Sequence, residues 1–230
     1  HRFQIGSAPV NPQVVEKFMD QYQIPLIQGY GQTETSLRST GVPMDLPQKD
    51  YQEATELNTV GKELKWTNVT VLKEDGTEAL EGENGEICVR GPIITPGYLE
   101  NTEANKKAFS FNWFHSGDRG YFKMLFGEKY FFLTGRVEEI IKKGGVLMSP
   151  LSIENTLLRD YPDLKQVFVV GFPDPRLGEE VGFVSIVDQD TVNRVLEDAR
   201  LGKIKNLSDY ETPKAGLSVS KEELPKTSTG

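Results

Sequence analysis

Five short stretches combine glycine with hydroxyl, acidic or basic side chains in a pattern that packing alone does not call for. In Gln28-Gly29-Tyr30-Gly31-Gln32-Thr33-Glu34-Thr35, two glycines bracket an aromatic ring and two hydroxyls flank a carboxylate. At the end of a strand, such a loop offers a stacking face, a hydroxyl donor for a phosphate oxygen and an oxygen ligand for Mg2+. The plain alternative is a solvated turn with an exposed Glu34. In Trp113-Phe114-His115-Ser116-Gly117-Asp118-Arg119-Gly120, the Ser-Gly-Asp run points Asp118 out of a tight turn. A carboxylate so placed accepts from both hydroxyls of a ribose, as at dinucleotide sites; otherwise the segment is an Asp-Arg surface turn. His115 has no nucleophile beside it and reads as a packing or orienting residue rather than a general base.

In the remaining stretches the signals are weaker singly. Gly6-Ser7-Ala8-Pro9 lets a flat ligand approach the backbone closely, or is an ordinary turn. In Thr134-Gly135-Arg136-Val137-Glu138-Glu139-Ile140-Ile141-Lys142-Lys143-Gly144-Gly145, Arg136 can reach a phosphate or ribose, and Gly144 and Gly145 permit close backbone approach. The same segment also fits a charged edge strand. Leu224-Pro225-Lys226-Thr227-Ser228-Thr229-Gly230 reads as a polar tail.

These segments need elements to hold them. Arg2-Phe3-Gln4-Ile5 reads as a strand, and Asn11-Pro12 opens a helix whose Val14, Val15, Phe18 and Met19 recur at helical spacing as far as Tyr22. Ile24–Ile27 reads as a short buried strand. From about residue 59 the texture is β-rich, with strands at Asn68–Leu72, Gly85–Gly91 and Tyr130–Thr134, a turn at Glu74-Asp75-Gly76 and a short helix at Thr102–Phe109. Pro43–Leu57 reads as a polar loop. After Arg136 the pattern becomes helix, strand, strand, helix, starting near Pro150–Leu158 and followed by Gln166–Val170, Val181–Val187 and a helix facing inward through Val192, Val195 and Leu196. That alternation predicts a small separate α/β unit, with a boundary at Val137–Glu138.

Over 230 residues, 37% hydrophobic content is enough for a core, and no apolar run approaches the roughly 18 residues of a bilayer span. With 26 basic against 34 acidic residues, the net charge is −8. No basic block exists to follow a nucleic-acid backbone. An acidic chain can still bind a polyphosphate through a metal ion, helix termini and backbone N–H groups. The single Cys88 forms no internal disulfide and permits a reducing compartment, and no secretory signal opens the sequence; the expectation is a cytoplasmic protein.

Taken together, in this order, the five segments resemble the adenylate-forming superfamily: acyl-CoA and aryl-CoA synthetases, luciferases and peptide-synthetase adenylation domains. The elements that carry the resemblance are Tyr-Gly-x-Thr-Glu at Tyr30–Glu34, Ser-Gly-Asp at Ser116–Asp118 and Gly-Arg-x-x-Glu-x-Ile-x-x-Gly-Gly at the fourth segment. It implies a mixed α+β fold within the α/β class: residues 1–137 as the β-rich end of a large AMP-binding domain, then residues 138–230 as a small, mobile α/β domain. It implies ATP, Mg2+ and CoA as reactants and cofactor, and a carboxylic acid, such as those of fatty acid metabolism, as substrate.

Carried over by position, Gly6, Ser7, Ala8 and Pro9 line the adenine pocket and Tyr30 stacks on the base, with Gly31 beside it. Thr33 holds phosphate, Glu34 coordinates Mg2+, Asp118 binds the ribose hydroxyls and Arg136 helps hold the nucleotide. Glu138 marks the hinge, and Gly144 and Gly145 lie on the loop that enters the site for thioester formation. Trp-Phe-His-Ser-Gly-Asp, and Gln32 where peptide synthetases carry Pro, favour the acyl-CoA synthetases. A domain that loads a carrier protein, or a nucleotide-binding remnant without turnover, are the alternatives. The family's Ser/Thr/Gly-rich phosphate loop precedes any residue here, and its final motif ends in a lysine one residue beyond Gly230; Lys226 is that motif's first lysine. The expectation is therefore a piece of a larger enzyme that makes no adenylate by itself. Arg119 stands where the family has an aliphatic residue. Oligomeric state leaves no trace in the sequence.

Overall fold

A computed structural model describes residues 3–6 and 12–224. Ser7, Ala8, Pro9, Asn11 and the tail containing Lys226 lie outside the described residues. The fold is mixed α+β, and the chain divides into two compact units, His1–Val137 and Glu138–Gly230. Among the described residues, no helix is long and apolar enough to cross a membrane.

In the first unit, β1 (Phe3–Ile5), β2 (Leu26–Tyr30), β3 (Thr40–Gly41) and β4 (Lys62–Glu63) form a sheet in that order. β1 and β2 run parallel, joined by α1 (Pro12–Tyr22). The buried strand starts two residues later than its sequence reading and ends three later: Gly29 and Tyr30 belong to it, because they pair with Gly41 and Thr40 of β3. Gly29 and Gly31 serve this return of the chain. A Cβ on Gly29 would lie 2.5 Å from the Arg38 guanidinium, and one on Gly31 would lie 2.4 Å from the Leu37 carbonyl oxygen.

The stretch from Pro43 to Leu57 is not a loop throughout. It contains α2 (Gln48–Glu56), which buries Tyr51 and Ala54, three positions apart on one face. The Tyr51 hydroxyl donates to the Leu26 carbonyl at 2.6 Å, tying the helix to β2. Two buried side chains on a nine-residue helix leave its composition polar, which hid it from the sequence.

The second sheet of this unit is an antiparallel meander of β5 (Asn68–Leu72), β6 (Gly85–Arg90), β7 (Phe114–Leu125) and β8 (Glu128–Arg136), with α3 (Thr102–Ala108) preceding β7. Val69, Val71, Ile87, Val89, Phe122 and Phe131 form its core, into which the Tyr30 ring also packs. The two sheets are stitched by Phe131, whose N–H donates to the Gly61 carbonyl at 2.9 Å and whose carbonyl accepts from Val60 at 3.0 Å.

The second unit pairs the hairpin β9 (Ile141–Lys143) and β10 (Val146–Met148) with β11 (Val167–Asp174), β12 (Gly178–Ser185) and β13 (Ala215–Ser218). Its helices are α4 (Pro150–Asp160), capped by Ser149, and α5 (Gln189–Arg200), capped by Asp188. Ile153, Leu157, Val169, Phe183, Val192 and Val195 build a core made only of this unit's residues.

Candidate functional site

The Ser-Gly-Asp segment does not form the tight turn its composition suggests. It lies inside the twelve-residue strand β7, where the register breaks. Cys88 pairs with His115 and Glu86 with Arg119, so Ser116, Gly117 and Asp118 together oppose Ile87. A second irregularity follows on the other side, where Arg119 pairs with Gly135 and Gly120 with Leu133. Bulges re-aim side chains at the edges of functional sites. Gly117 takes φ +76°, a conformation glycine adopts without strain.

The bulge is held from both sides. The Ser116 hydroxyl donates to the Ile87 carbonyl at 2.6 Å and accepts from the Asp118 N–H at 3.1 Å. From β6, the Glu86 carboxylate accepts the Gly117 N–H at 2.8 Å through Oε1 and meets His115 Nδ1 at 2.8 Å through Oε2. His115 Nε2 donates to the Ser110 carbonyl at 3.1 Å. His115 is thus an orienting residue. Arg119 lies in strand pairing between Glu86 and Gly135.

Asp118 receives two donors from different elements. The Tyr30 hydroxyl, at the end of β2, donates to Oδ2 at 2.7 Å, and Arg136 Nη1, at the end of β8, donates to Oδ1 at 2.8 Å. Arg136 stands directly opposite Asp118 in the β7–β8 register. An ionised carboxylate accepts about four hydrogen bonds, so each oxygen keeps acceptor capacity for a further donor. The Tyr30 ring is 8% exposed, and burial together with the Asp118 carboxylate pushes its phenol far above the ordinary tyrosine range. It therefore stays protonated and donating. With so little of the ring open, its most defined contribution is this hydroxyl.

Thr33, Glu34 and Thr35 form a one-turn 3-10 helix directly after β2, closed by reciprocal bonds between Gln32 and Thr35. Gln32 Nε2 donates to the Ser116 carbonyl at 3.2 Å, which ties this turn to the bulge. Thr33 is exposed and Glu34 partly buried. A loop the sequence did not single out docks here: Thr95 N–H donates to the Glu34 carbonyl at 2.8 Å, and the Tyr98 hydroxyl donates to Glu34 Oε1 at 2.9 Å. Burial and the Glu34 carboxylate raise the Tyr98 phenol.

Tyr30, Gly31, Thr33, Glu34, Asp118 and Arg136 therefore share one region of the first unit, with Gly6 beside it. A Cβ on Gly6 would lie 3.0 Å from the Gly29 carbonyl oxygen. Glu138 opens the second unit. Gly144 and Gly145, at φ +58° and +84°, form the β9–β10 turn of that unit. Glu86 and Tyr98 escaped sequence reading because each acts through a contact made across strands or loops, and neither stands in a motif.

Known proteins resemble this chain in sequence and in fold. Residues 1–99 match the sequence profile described as AMP-binding enzyme. A probable CoA ligase of Humulus lupulus is 35% identical over 232 residues, which cover 97% of this chain and 40% of that protein. The oxalate–CoA ligase of Arabidopsis thaliana is 33% identical over 226 residues, covering 97% of this chain and 41% of that protein. In fold, the o-succinylbenzoate CoA synthetase of Bacillus subtilis, solved with its acyl-adenylate intermediate, matches with a TM-score of 0.80 at 24% identity, over 97% of this chain and 43% of that one. The chain spans about two fifths of the length of the curated relatives it matches. With the tyrosine, aspartate and arginine of three separate motifs joined in one constellation, and with these relatives aligned along nearly all its residues, the chain belongs to the adenylate-forming AMP-binding enzymes of the acyl-CoA synthetase type.

Proposed function

We propose that this chain supplies the ribose- and metal-facing part of an ATP-dependent acid–thiol ligase, which converts a carboxylic acid to its acyl-adenylate and passes the acyl group to CoA. The observation that carries the reading is the Tyr30–Asp118–Arg136 constellation. In the first half-reaction a carboxylate oxygen of the acid bonds to the α-phosphorus of ATP and pyrophosphate leaves. In the second, the CoA sulfur, giving up its proton, bonds to the acyl carbon and AMP leaves. The acid is ionised at neutral pH, so the first step needs charge stabilisation and positioning rather than a general base. That agrees with a site whose histidine is engaged by Glu86 and Ser110.

Asp118 accepts the ribose hydroxyls with the acceptor capacity its two protein donors leave over. Tyr30 and Arg136 fix its rotamer, and Arg136, whose side chain is 55% exposed, places a cation at the rim. Tyr30 and Gly31 border the base, with Gly6 beside them. Thr33 offers a hydroxyl to a phosphate. The Glu34 carboxylate fits a hard cation: it is an oxygen donor fixed by Tyr98 on a short, partly buried turn. Mg2+ held there supplies neutralisation of the phosphate charge.

In the same reading, Val137 and Glu138 join the adenylating domain to a small domain that turns between the two half-reactions. Gly144 and Gly145 then form the turn that approaches the thioester-forming site. The 230 residues by themselves are expected to make no adenylate, because the family's phosphate loop and final lysine are not among them.

The test is carboxylate-dependent ATP–pyrophosphate exchange by the product of the full reading frame, with Mg2+ and a panel of fatty, aryl and short acids. Exchange that proceeds to an acyl-CoA when CoA is added is the expected result. Exchange that goes on only to a carrier protein would replace CoA as acceptor. No exchange with any acid, in a protein that binds ATP, would overturn catalysis in favour of nucleotide binding alone.

A further inference from the structure

Outside the nucleotide constellation, three ligand-type side chains converge on the other face of the second sheet's β6. Glu86 and Cys88 are two positions apart on that strand and so share a face, while Ile87 and Val89 point into the core. His115 stands directly opposite Cys88 on β7. The Cys88 sulfur, His115 Nδ1 and a Glu86 carboxylate oxygen all lie within 4.8 Å of one another. We propose that Glu86, Cys88 and His115 form a binding site for one divalent cation of the zinc class.

Four features support this. First, thiolate, imidazole and carboxylate are the donor set of zinc rather than of magnesium, which prefers oxygen alone. Second, the spacing is close to what zinc needs. Bonds of about 2.3 Å to sulfur and about 2.0 Å to nitrogen put these two ligands about 3.5 Å apart at a tetrahedral centre. Cys88 Sγ and His115 Nδ1 are 3.6 Å apart. His115 Nδ1 and Glu86 Oε2, at 2.8 Å, have only to open to about 3.3 Å.

Third, the supporting contacts are in place. The Ser110 carbonyl can only accept, so His115 Nε2 carries the proton towards it and Nδ1 is the atom turned to the cluster. A ligating histidine fixed through its other nitrogen by a carbonyl is the usual outer-shell arrangement. Glu86 Oε1 is held by the Gly117 N–H, which leaves Oε2 for the cation. Fourth, the site is enclosed but not sealed: Cys88 is fully buried, whereas the His115 and Glu86 side chains are 13% and 23% exposed. On binding, zinc takes the place of two protons, that of the Cys88 thiol and the one held between His115 Nδ1 and Glu86 Oε2, and both leave to solvent; a water completes four-coordination, and no redox step is involved.

Cobalt(II) reports such a site optically, and Cys88 is the chain's single cysteine, so a thiolate-to-cobalt charge-transfer band from the 230-residue chain can arise only there. The expected result is one cobalt per chain, with that near-ultraviolet band and the intense visible bands of a tetrahedral centre, both removed by one equivalent of zinc. Cys88→Ser should abolish the charge-transfer band, and His115→Ala should weaken cobalt binding by about tenfold or more. Folded wild-type chain that binds cobalt without the band, or binds none, would overturn the proposal and leave the three side chains as a hydrogen-bonded brace. Because the wild-type spectrum decides alone, a variant that fails to fold does not blunt the test. The readout needs neither ATP nor turnover, so it is independent of the ligase reading.

Discussion

Asp118 is a carboxylate whose partners come from positions 30 and 136, so its orientation depends on neither of its sequence neighbours' side chains. Charge-assisted bonds of this kind contribute about 1.5–3 kcal/mol each, more than a neutral pair. Asp118→Asn keeps the shape but turns an amide N–H2 towards Arg136 or, in the proposed nucleotide complex, towards the ribose. ATP titration of the full-length protein is expected to show binding weakened by about 10- to 100-fold. Tyr30→Phe removes one of the two donors that fix the rotamer and should cost less, about three- to tenfold. Equal ATP affinity in Asp118→Asn and wild type would remove Asp118 from the nucleotide site.

At the scale of elements, the irregular middle of β7 matters most. Two of its glycines differ in what they permit. A Cβ on Gly120 would sit 2.2 Å from the Phe132 carbonyl oxygen, whereas one on Gly117 would meet nothing within 4 Å. Gly117→Ala therefore brings only the left-handed backbone penalty of about 1–2 kcal/mol. Gly120→Ala must push two paired strands apart and should destabilise the first unit by clearly more. Thermal or urea unfolding of the two variants orders these effects, and the reverse order would contradict the strand register. The same logic explains why Glu86 matters although it is outside every motif: it bonds the Gly117 N–H across strands and holds the bulge closed.

For the molecule as a whole, each unit has its own core and its own buried tyrosine with a raised phenol. Leu157 is completely buried within the second unit's core. Leu157→Ala is expected to remove about 2–5 kcal/mol, lowering one calorimetric transition by at least about 10 °C and leaving the first unit's transition in place. A shift of both transitions would mean that the units unfold as one. Burial, with nearby acidic groups, pushes Tyr130 in the first unit and Tyr161 in the second up to about 12. Tyr161 also donates to Asp198 at 3.1 Å. The folded state thus keeps a proton that the unfolded state loses near pH 10. The stabilisation is complete below that pH and is lost as pH rises through about 12, in both units. Tyrosinate absorbance should show these two phenols among the last of the eight to ionise. Early ionisation of all eight in folded protein would refute it.

Residue type and local spacing by themselves determined which groups are there to do chemistry, a carboxylate after Ser-Gly, an acid between two threonines and an arginine after glycine, and the helices at Pro12, Thr102 and Pro150 whose apolar spacing or caps are written locally. They also located the change of texture at Val137–Glu138. Tertiary structure alone decided what those groups do together. It placed Asp118 in a bulged strand rather than a turn, because extra residues in a ladder are defined only against the neighbouring strand. It made a helix of Gln48–Glu56, because two side chains of a polar segment found a core to enter. It also brought Tyr30 to Asp118 across 88 positions of sequence, by a side-chain contact between two different sheets, and Glu86, Cys88 and His115 to one another through the β6–β7 pairing, neither of which a local pattern encodes.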